Sequence, residues 1–203
     1  MPIRSEALPY ALPGAVAAAL AAAFGAFWIA LGMAVLSAAL AAFFRDPERH
    51  TDAPARALLS PADGRVVEVT ADERGLLIAI FLSVFNVHVT RTPCSGRLRE
   101  WERIAGGYAM AFRDAASHNA RHRLVIDTSA GRIELSLIAG AVARRVVPFF
   151  AAPAALSRGE RIALIKFGSR AELRLPADHS AVVSVGDRVR AGETIVATAP
   201  ENP

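Results

Sequence analysis

The dipeptide Gly168-Ser169 is the place in this 203-residue chain where neighbouring residue types predict covalent chemistry. A serine hydroxyl can attack the carbonyl carbon of the preceding residue, which converts the amide to an ester, and glycine at that position removes the Cβ that would crowd the attack. Loss of the serine α-proton then expels the ester carboxylate. Hydrolysis of the resulting dehydroalanine releases ammonia and leaves an N-terminal pyruvoyl group. The pair therefore predicts a self-cleaving proenzyme whose new ketone accepts electrons.

The residues around this dipeptide predict two strands. Residues 161–167 are mostly apolar and run into the pair, and residues 171–175 alternate in polarity before Pro176. A Gly-Ser pair is by itself also typical of an ordinary turn. Between two strands, however, it can be held as a strained peptide on a rigid scaffold.

Several segments occur in order along the chain and carry a family resemblance. They are Ser60-Pro61-Ala62-Asp63-Gly64, Phe81-Leu82-Ser83-Val84-Phe85-Asn86-Val87-His88, Ala143-Arg144-Arg145 and Phe167-Gly168-Ser169-Arg170. Together with the apolar N terminus and Phe43-Phe44-Arg45-Asp46-Pro47-Glu48-Arg49, they resemble the short bacterial and archaeal type of phosphatidylserine decarboxylase proenzyme over nearly the whole chain. Several motifs in one order are far more specific than any single motif.

The resemblance implies a reaction and a cofactor. Cleavage between Gly168 and Ser169 would give a large and a small chain, with Ser169 converted to a covalent pyruvoyl group. This group would form a Schiff base with the headgroup amine of phosphatidylserine, and loss of CO2 followed by hydrolysis would release phosphatidylethanolamine. A homodimer is a further expectation from the resemblance.

Asp63 and His88 receive roles from the same resemblance. Asp63 would belong to an Asp-His-Ser arrangement that promotes self-cleavage, although Asp63-Gly64 alone is also typical of a hairpin turn. His88 matches a histidine implicated in decarboxylation. The second histidine of longer relatives falls on Arg91, which stays protonated and cannot act as a base. We therefore expect that His88 serves both stages, or that cleavage relies on backbone strain and Asp63.

Four further residues are expected near the substrate. By position, His118 and Asn119 resemble a family segment at the substrate mouth, and Arg144 and Arg145 are candidates for contacting the lipid phosphate. His118 and His122 are four residues apart and could bind zinc from one helix face. Because no third ligand is evident, no metal is expected.

Two kinds of side chain have structural interpretations. Phe81, Phe85, Phe149 and Phe150 could line a channel for acyl chains or fill the core, and the core is the favoured interpretation. Cys94 is the only cysteine, which excludes an internal disulfide and agrees with a reducing compartment. We expect it to be a packed thiol rather than a nucleophile.

The N-terminal apolar run predicts a membrane segment. Residues 11–44 contain no charged residue, and a continuous helix of this length would measure about 50 Å against a hydrocarbon core of about 30 Å. A re-entrant hairpin of two short helices, with its turn near Gly25 or Gly32, fits better, as does one span joined to an interfacial helix. A signal peptide and an alanine-rich core helix are the alternatives.

Charge distribution favours the cytoplasmic side of the inner membrane. Arg45, Arg49 and Arg56 follow the apolar run and only Arg4 precedes it. The formal net charge is +4, and the basic residues lack the aromatic interleaving of a nucleic-acid surface. We therefore expect anionic lipid, and not nucleic acid, as the partner of this charge.

The remaining chain predicts a mainly β fold. We expect a membrane-associated helical segment over 1–44, a linker over 45–59, and a compact, barrel-like or sandwich-like β catalytic domain over 60–203. One helix is expected over 109–119, and no more than a helical turn at 154–156. The other expected strands are 64–70, 75–81, 87–90, 96–100, 123–127, 133–139 and 143–147.

Two other functions stay open at this point. Residues 185–197 place glycines at two turns between short strands and resemble the barrel-sandwich of biotinyl and lipoyl carriers, which display a modifiable lysine. Lys166 is the only lysine, and its place beside Gly168-Ser169 favours the decarboxylase. The other alternative is a pyruvoyl decarboxylase of a soluble amino acid, against which the apolar N terminus argues.

Overall fold

A computed structural model describes residues 2–107, 119–139, 146–150, 154–165 and 169–200. The chain divides into two compact units, Met1–Glu48 and Arg49–Pro203. The boundary lies inside the segment expected to be a linker. The last residues of that segment are not a linker in the structure, because Ala57–Leu59 form the first strand, β1.

The N-terminal unit is a helical hairpin. After a 3-10 turn at Ser5–Ala7, helix α1 covers Leu8–Ala23 and helix α2 covers Phe27–Phe43. Gly25 lies between them with φ +74°, a conformation that glycine adopts without a steric penalty. Of the two predicted turn positions, Gly25 is therefore the correct one.

Hydrogen bonds hold the two arms of this hairpin together. Ser37 Oγ donates to the carbonyl oxygen of Ala11, and the N–H of Arg4 donates to the carbonyl oxygen of Phe44. Within the described residues, one helical stretch, Ser5–Ala23, is long and apolar enough to cross a membrane, and α2 is also apolar but shorter. The residues that begin and end the hairpin lie close together, because Arg4 is hydrogen-bonded to Phe44.

The second unit confirms the mainly β prediction. Its described part forms an eight-stranded sheet in the order β13-β2-β3-β11-β7-β6-β5-β9, and two three-stranded sheets, β4-β10-β8 and β1-β14-β12. All paired strands are antiparallel. The strands after β1 are β2 (Gly64–Asp72), β3 (Gly75–Leu82), β4 (Val89–Arg91), β5 (Gly96–Ile104), β6 (Arg121–Thr128), β7 (Gly131–Ala139), β8 (Val146–Pro148), β9 (Ala154–Leu156), β10 (Arg161–Ile165), β11 (Ser169–Leu175), β12 (Ser180–Ala181), β13 (Arg188–Val189) and β14 (Ile195–Thr198).

Alternation along the central strands builds the core. In β11 every second side chain is buried, beginning with Ser169 and ending with Leu175, and the polar side chains between them face the other way. Strand β3 is buried along most of its length because it lies between β2 and β11. The apolar residues of β3, β6, β7 and β11 form one continuous core.

Two local predictions differ from the structure, and a third falls almost entirely outside the described residues. Residues 154–156 are not a helical turn but strand β9, which pairs with the start of β5. Phe85 is not in the core, since its side chain is 83% exposed, and Phe81, Phe149 and Phe150 are only partly buried. The predicted helix over 109–119 falls outside the described residues except for Asn119, which forms a β-bridge with Gly107.

Candidate active site

Ser169 is the first residue of β11 and is completely buried, with 0% of its surface exposed. Its side chain points to the same face as Ala171 and Leu173. Ser169 Oγ makes no hydrogen bond to any described residue. Leaving a buried hydroxyl unpaired costs about 1–3 kcal/mol, so such a group calls for a functional explanation.

The chain changes sheets at the predicted cleavage site. Strand β10 belongs to the sheet β4-β10-β8, whereas β11 lies in the eight-stranded sheet. Ile165 ends β10, and Ser169 begins β11 after only three residues. Gly168 is one of these three and lies outside the described residues. The dipeptide therefore sits where a short connection joins two sheets.

The connection from β3 to β4 runs beside this crossing. It begins after Leu82, which pairs with Ser169, and ends at His88, whose carbonyl oxygen accepts a hydrogen bond of 3.0 Å from the N–H of Ile165. Sheet register thus places His88 next to the strand that leads to the predicted cleavage site. The sequence separation between His88 and Ser169 gives no sign of this proximity.

His88 is fully buried, and its ring is oriented by the backbone. Nδ1 lies 2.9 Å from the carbonyl oxygen of Asn86. Since a carbonyl oxygen only accepts hydrogen bonds, Nδ1 carries the proton of the neutral ring and Nε2 carries the lone pair. The ring is therefore held in the tautomer that a general base needs, with Nε2 as the basic atom.

Asp63 lies at the same end of the sheet but has other partners than expected. Its carboxylate accepts hydrogen bonds of 2.9 and 3.2 Å from Arg49 Nη2 and of 2.8 Å from the N–H of Ala191. Arg49 also contacts Glu193 at 3.1 Å. Within the described residues Asp63 does not bind His88, whose Nδ1 is instead oriented by Asn86.

Asp63→Asn is expected to lower the free energy of unfolding by about 2 kcal/mol, because the buried Arg49 side chain loses its closest counter-charge. Chemical denaturation in the Ser169→Ala background, in which the chain is expected to stay uncleaved, measures this loss. Glu193→Gln is the matched control, since Glu193 is the more exposed partner of the same arginine and its removal is expected to cost less than about 1 kcal/mol. Equal losses for the two variants would contradict a dominant Arg49–Asp63 pair.

Arg91 has a structural role beside the segment that contains Asp63. Its side chain is 5% exposed, and Nη1 donates to the carbonyl oxygen of Gly159 at 2.9 Å. Its own N–H donates to the carbonyl oxygen of Pro61, two residues before Asp63. Arg91 therefore ties β4 to the segment that carries Asp63.

Comparisons with known proteins point to one family. Residues 36–197 match the family model described as "Phosphatidylserine decarboxylase". The chain belongs to this family. It is 42% identical over 177 residues to the "Phosphatidylserine decarboxylase proenzyme" of Burkholderia mallei (strain SAVP1), which covers 83% of this chain and 82% of that protein.

Other relatives of this decarboxylase are similarly close. The proenzyme of Burkholderia pseudomallei (strain 1106a) is 42% identical, again over 83% of this chain and 82% of the relative. A "Putative archaetidylserine decarboxylase proenzyme" of Methanosarcina acetivorans is 40% identical over 163 residues, which are 80% of this chain and 76% of that protein. The chain is thus an enzyme of the decarboxylase class.

The expected substrate residues of this decarboxylase lie partly outside the described chain. Asn119 is 1% exposed and lies two residues before β6, whose first residue, Arg121, is two strands away from the start of β11. His118, Arg144 and Arg145 are not among the described residues. The connection that contains both arginines joins β7 to β8 and starts at Ala139, which pairs with Ser169.

The zinc alternative finds no support in the described residues. His122 lies on strand β6, not on a helix, and its ring packs against Trp101 with centroids 4.9 Å apart. Burial lowers the pKa of His122, and the charge of Arg103 lowers it further. No group of three potential ligands forms among the residues that the structure describes.

A cavity of about 760 Å³ lies at the other end of the sheet. Its lining includes the β6–β7 turn at Ser129, whereas Ser169 pairs with the opposite end of β7. Cys94 also lines it, and burial raises the pKa of the Cys94 thiol to about 11 despite the nearby charge of Arg158. The expectation of a packed thiol agrees with this burial.

Cys94 is expected to react slowly with iodoacetamide, with a rate that still rises about tenfold per pH unit from about pH 8 to pH 10, because only the thiolate reacts. A thiol with the ordinary pKa of about 8.5 would level off above about pH 9. Alkylation followed by intact-mass measurement, with the denatured chain as control, tests this. A plateau near pH 9 in the folded protein would contradict the raised pKa.

Arg49 and Asn86 are the site residues to which the sequence analysis gave no role. Both stand inside the motifs that carry the family resemblance. A further signal for Arg49 is chemical. A buried carboxylate such as that of Asp63 needs a cationic partner, and Arg49 supplies it. Nothing local indicates that a carbonyl oxygen would orient His88.

Proposed function

We propose that this enzyme cleaves itself between Gly168 and Ser169 and then converts phosphatidylserine to phosphatidylethanolamine and CO2. The observation that carries the proposal is the buried Ser169 hydroxyl, which has no hydrogen-bond partner among the described residues and stands where β10 passes into β11. The proenzyme names of relatives at 40–42% identity support the same reaction.

Self-cleavage begins at Ser169. Its Oγ forms a bond to the carbonyl carbon of Gly168, the C–N bond breaks, and the amide becomes an ester with a free amine on residue 169. Removal of the α-proton of residue 169 then breaks the Cβ–O bond and releases the Gly168 carboxylate. Water replaces the amine of the dehydroalanine, and ammonia departs.

His88 is the proton carrier in this proposal. Its Nε2 accepts the Ser169 hydroxyl proton during ester formation, and Nδ1–H continues to donate its hydrogen bond to the Asn86 carbonyl oxygen. In the decarboxylation stage the same ring donates a proton to the α-carbon of the product. Asp63 acts through the scaffold, because together with Arg49 it fixes the segment that precedes β2.

The surroundings of Ser169 fit a pyruvoyl group formed at this position. A compact ketone at the start of β11 needs a buried place with few competing hydrogen bonds, and Ser169 Oγ is buried and has no hydrogen-bond partner among the described residues. When present, the group supplies a sink for the electron pair left behind as the carboxylate departs. His118, Asn119, Arg144 and Arg145 are proposed to bind the phosphoserine headgroup, with the arginines at its phosphate.

The two chains are proposed to remain together after cleavage. The small chain, 169–203, contributes β11 between β3 and β7 of the large chain. It also pairs β13 with β2 and β14 with β1. These ladders hold it without a covalent link. A homodimer of the cleaved enzyme remains an expectation from the resemblance.

The helical hairpin is proposed to insert into the inner membrane from the cytoplasmic side. At 16 and 17 residues, α1 and α2 measure about 24 and 26 Å, somewhat less than a hydrocarbon core of about 30 Å. The side chains around its turn, Phe24, Phe27 and Trp28, are large, apolar and exposed. Insertion from one side leaves the charged ends of the hairpin in water.

Intact-mass analysis tests the processing, and CO2 release tests the substrate. Two fragments are expected, 1–168 and 169–203, and the second should begin at a blocked residue that has lost ammonia. CO2 is expected from phosphatidylserine and not from free amino acids. A single uncut polypeptide that still releases CO2 from the phospholipid would overturn the pyruvoyl mechanism.

A further inference from the structure

The turn between β3 and β4 has an unusual composition for a turn. The N–H of Asn86 donates to the carbonyl oxygen of Ser83, which defines a β-turn with Val84 and Phe85 at its centre. Such positions normally hold glycine, proline, asparagine, aspartate or serine. Here the two central side chains are apolar and are 52% and 83% exposed. This turn is called the apolar turn below.

The apolar turn is firmly held. Asn86 Oδ1 accepts hydrogen bonds from both the N–H and the hydroxyl of Ser83, at 2.9 and 2.7 Å. The carbonyl oxygen of Asn86 also orients the His88 ring. The exposed Phe85 and the buried His88 are therefore carried by one short, rigid segment beside Ser169.

A second loop adds to this exposed apolar surface. Among the described residues of the unit 49–203, the large apolar side chains that are most exposed all belong to two loops: Val84 and Phe85 in the apolar turn, and Val182 and Val185 in the connection from β12 to β13. Arg65 Nη1 donates to the carbonyl oxygen of Gly186, next to Val185. Sheet register also places Arg65 opposite Phe81, near the end of β3.

Two arginines make the same region cationic. Arg188 and Arg65 stand directly opposite each other on β13 and β2, and both are exposed. Like charges in this position destabilise a sheet unless an anion lies between or above them. The guanidinium of Arg188 makes no hydrogen bond or ion pair with any other described residue, although its backbone pairs with that of Arg65. The Arg188 guanidinium is therefore available to an external anionic partner, and Arg65 adds its positive charge beside it.

We propose that the apolar turn, with Arg65 and Arg188, is a bilayer-docking surface that brings the site onto an anionic lipid membrane. The inference rests on the proposed function, because a phospholipid substrate must leave its bilayer close to Ser169 and His88. Apolar side chains flanked by arginines match the acyl boundary and the headgroup charge of such a membrane. Phosphatidylserine itself supplies the negative charge.

A fluorescence measurement tests docking without depending on catalysis. An environment-sensitive probe is attached to Phe85→Cys in the full-length Cys94→Ala chain, and vesicles of phosphatidylcholine and phosphatidylglycerol are added. A blue shift and contact quenching by lipid-borne quenchers are expected. The matched control is Glu73→Cys, in the polar turn at the opposite end of β3, where no change is expected.

Kinetics separate docking from chemistry. The double variant V84S/F85S is expected to lose about tenfold or more of its rate on phosphatidylserine vesicles at low lipid, because two apolar anchors are removed. Its self-cleavage and its rate on a short-chain, monomeric phosphatidylserine are expected to stay at native levels. Arg188→Gln should also slow vesicle turnover at low salt, whereas Arg74→Gln, in the polar turn, should not.

Three other outcomes would count against docking, assign the surface to another partner, or refute the proposed function. Equal probe emission at positions 85 and 73, or native vesicle rates in the double variant, would exclude docking by this surface. A blue shift without vesicles that grows with protein concentration would assign the surface to a second copy of the chain instead. Absence of CO2 from both substrates in the native enzyme would refute the proposed function and leave the fluorescence result to stand by itself.

Discussion

Ser169→Ala is expected to leave the chain as one uncut polypeptide with no measurable decarboxylase activity. Alanine keeps the buried methylene of Ser169 and the strand pairing of β11 but has no oxygen to attack the preceding carbonyl. No ester forms, and therefore no ketone forms. Denaturing electrophoresis and intact-mass measurement detect the uncut chain, and CO2 release measures the activity.

A second buried serine provides the control for this variant. Ser136 lies on β7, the neighbour of β11, and is 4% exposed. Ser136→Ala is expected to be cleaved and active, because its hydroxyl is not at the junction of the two sheets. Cleavage of Ser169→Ala at the native position, or loss of cleavage in both variants, would refute the assignment of Ser169 as the nucleophile.

His88→Gln is expected to reduce the decarboxylation rate by about 10²–10⁴-fold and to slow self-cleavage, because the residue at the site can no longer exchange a proton. Glutamine has a comparable size, and its amide can still donate to the Asn86 carbonyl oxygen. The loss therefore reports the missing base rather than a collapsed turn. Single-turnover CO2 release from the processed fraction separates this effect from slow processing.

Another buried histidine serves as the comparison. His179 is 6% exposed, and it lies just beyond the end of β11 that is remote from Ser169. His179→Gln is expected to process and decarboxylate at native rates. Normal cleavage together with normal decarboxylation in His88→Gln would remove His88 from the mechanism and leave strain and Asp63 as the alternative for the cleavage stage.

Some of the site follows from neighbouring residues alone. The Gly168-Ser169 pair predicts its own chemistry, since the attacking hydroxyl and the attacked carbonyl belong to adjacent residues. The hairpin is partly local, because the uncharged run is too long to fit one straight span well and Gly25 permits the turn. The same run length also fits one span joined to an interfacial helix. The β pattern is visible in the alternation of residues such as those of β11.

Other parts of the site depend on residues far apart in the chain. Asp63 binds Arg49 and the N–H of Ala191, and the second of these partners is 128 residues away. The family resemblance implied an Asp-His-Ser arrangement for Asp63, whereas its partners among the described residues are Arg49 and Ala191. The sequence favoured a core position for Phe85, which is exposed in the structure. Asn86 closes a turn that pushes Phe85 outward, which residue hydrophobicity by itself does not reveal.

The order of the residues was sufficient to indicate the family and the mainly β fold and to predict the chemistry of the Gly168-Ser169 pair. It left a hairpin and a single span joined to an interfacial helix as the two alternatives for the apolar run. Only the folded chain decided that Ser169 is buried, that His88 lies beside the strand entering the junction, and that Asp63 pairs with Arg49. The physical reason is that covalent reactivity and strand periodicity are local properties. Proximity between distant segments is determined by strand order and register, which many sequence positions specify together.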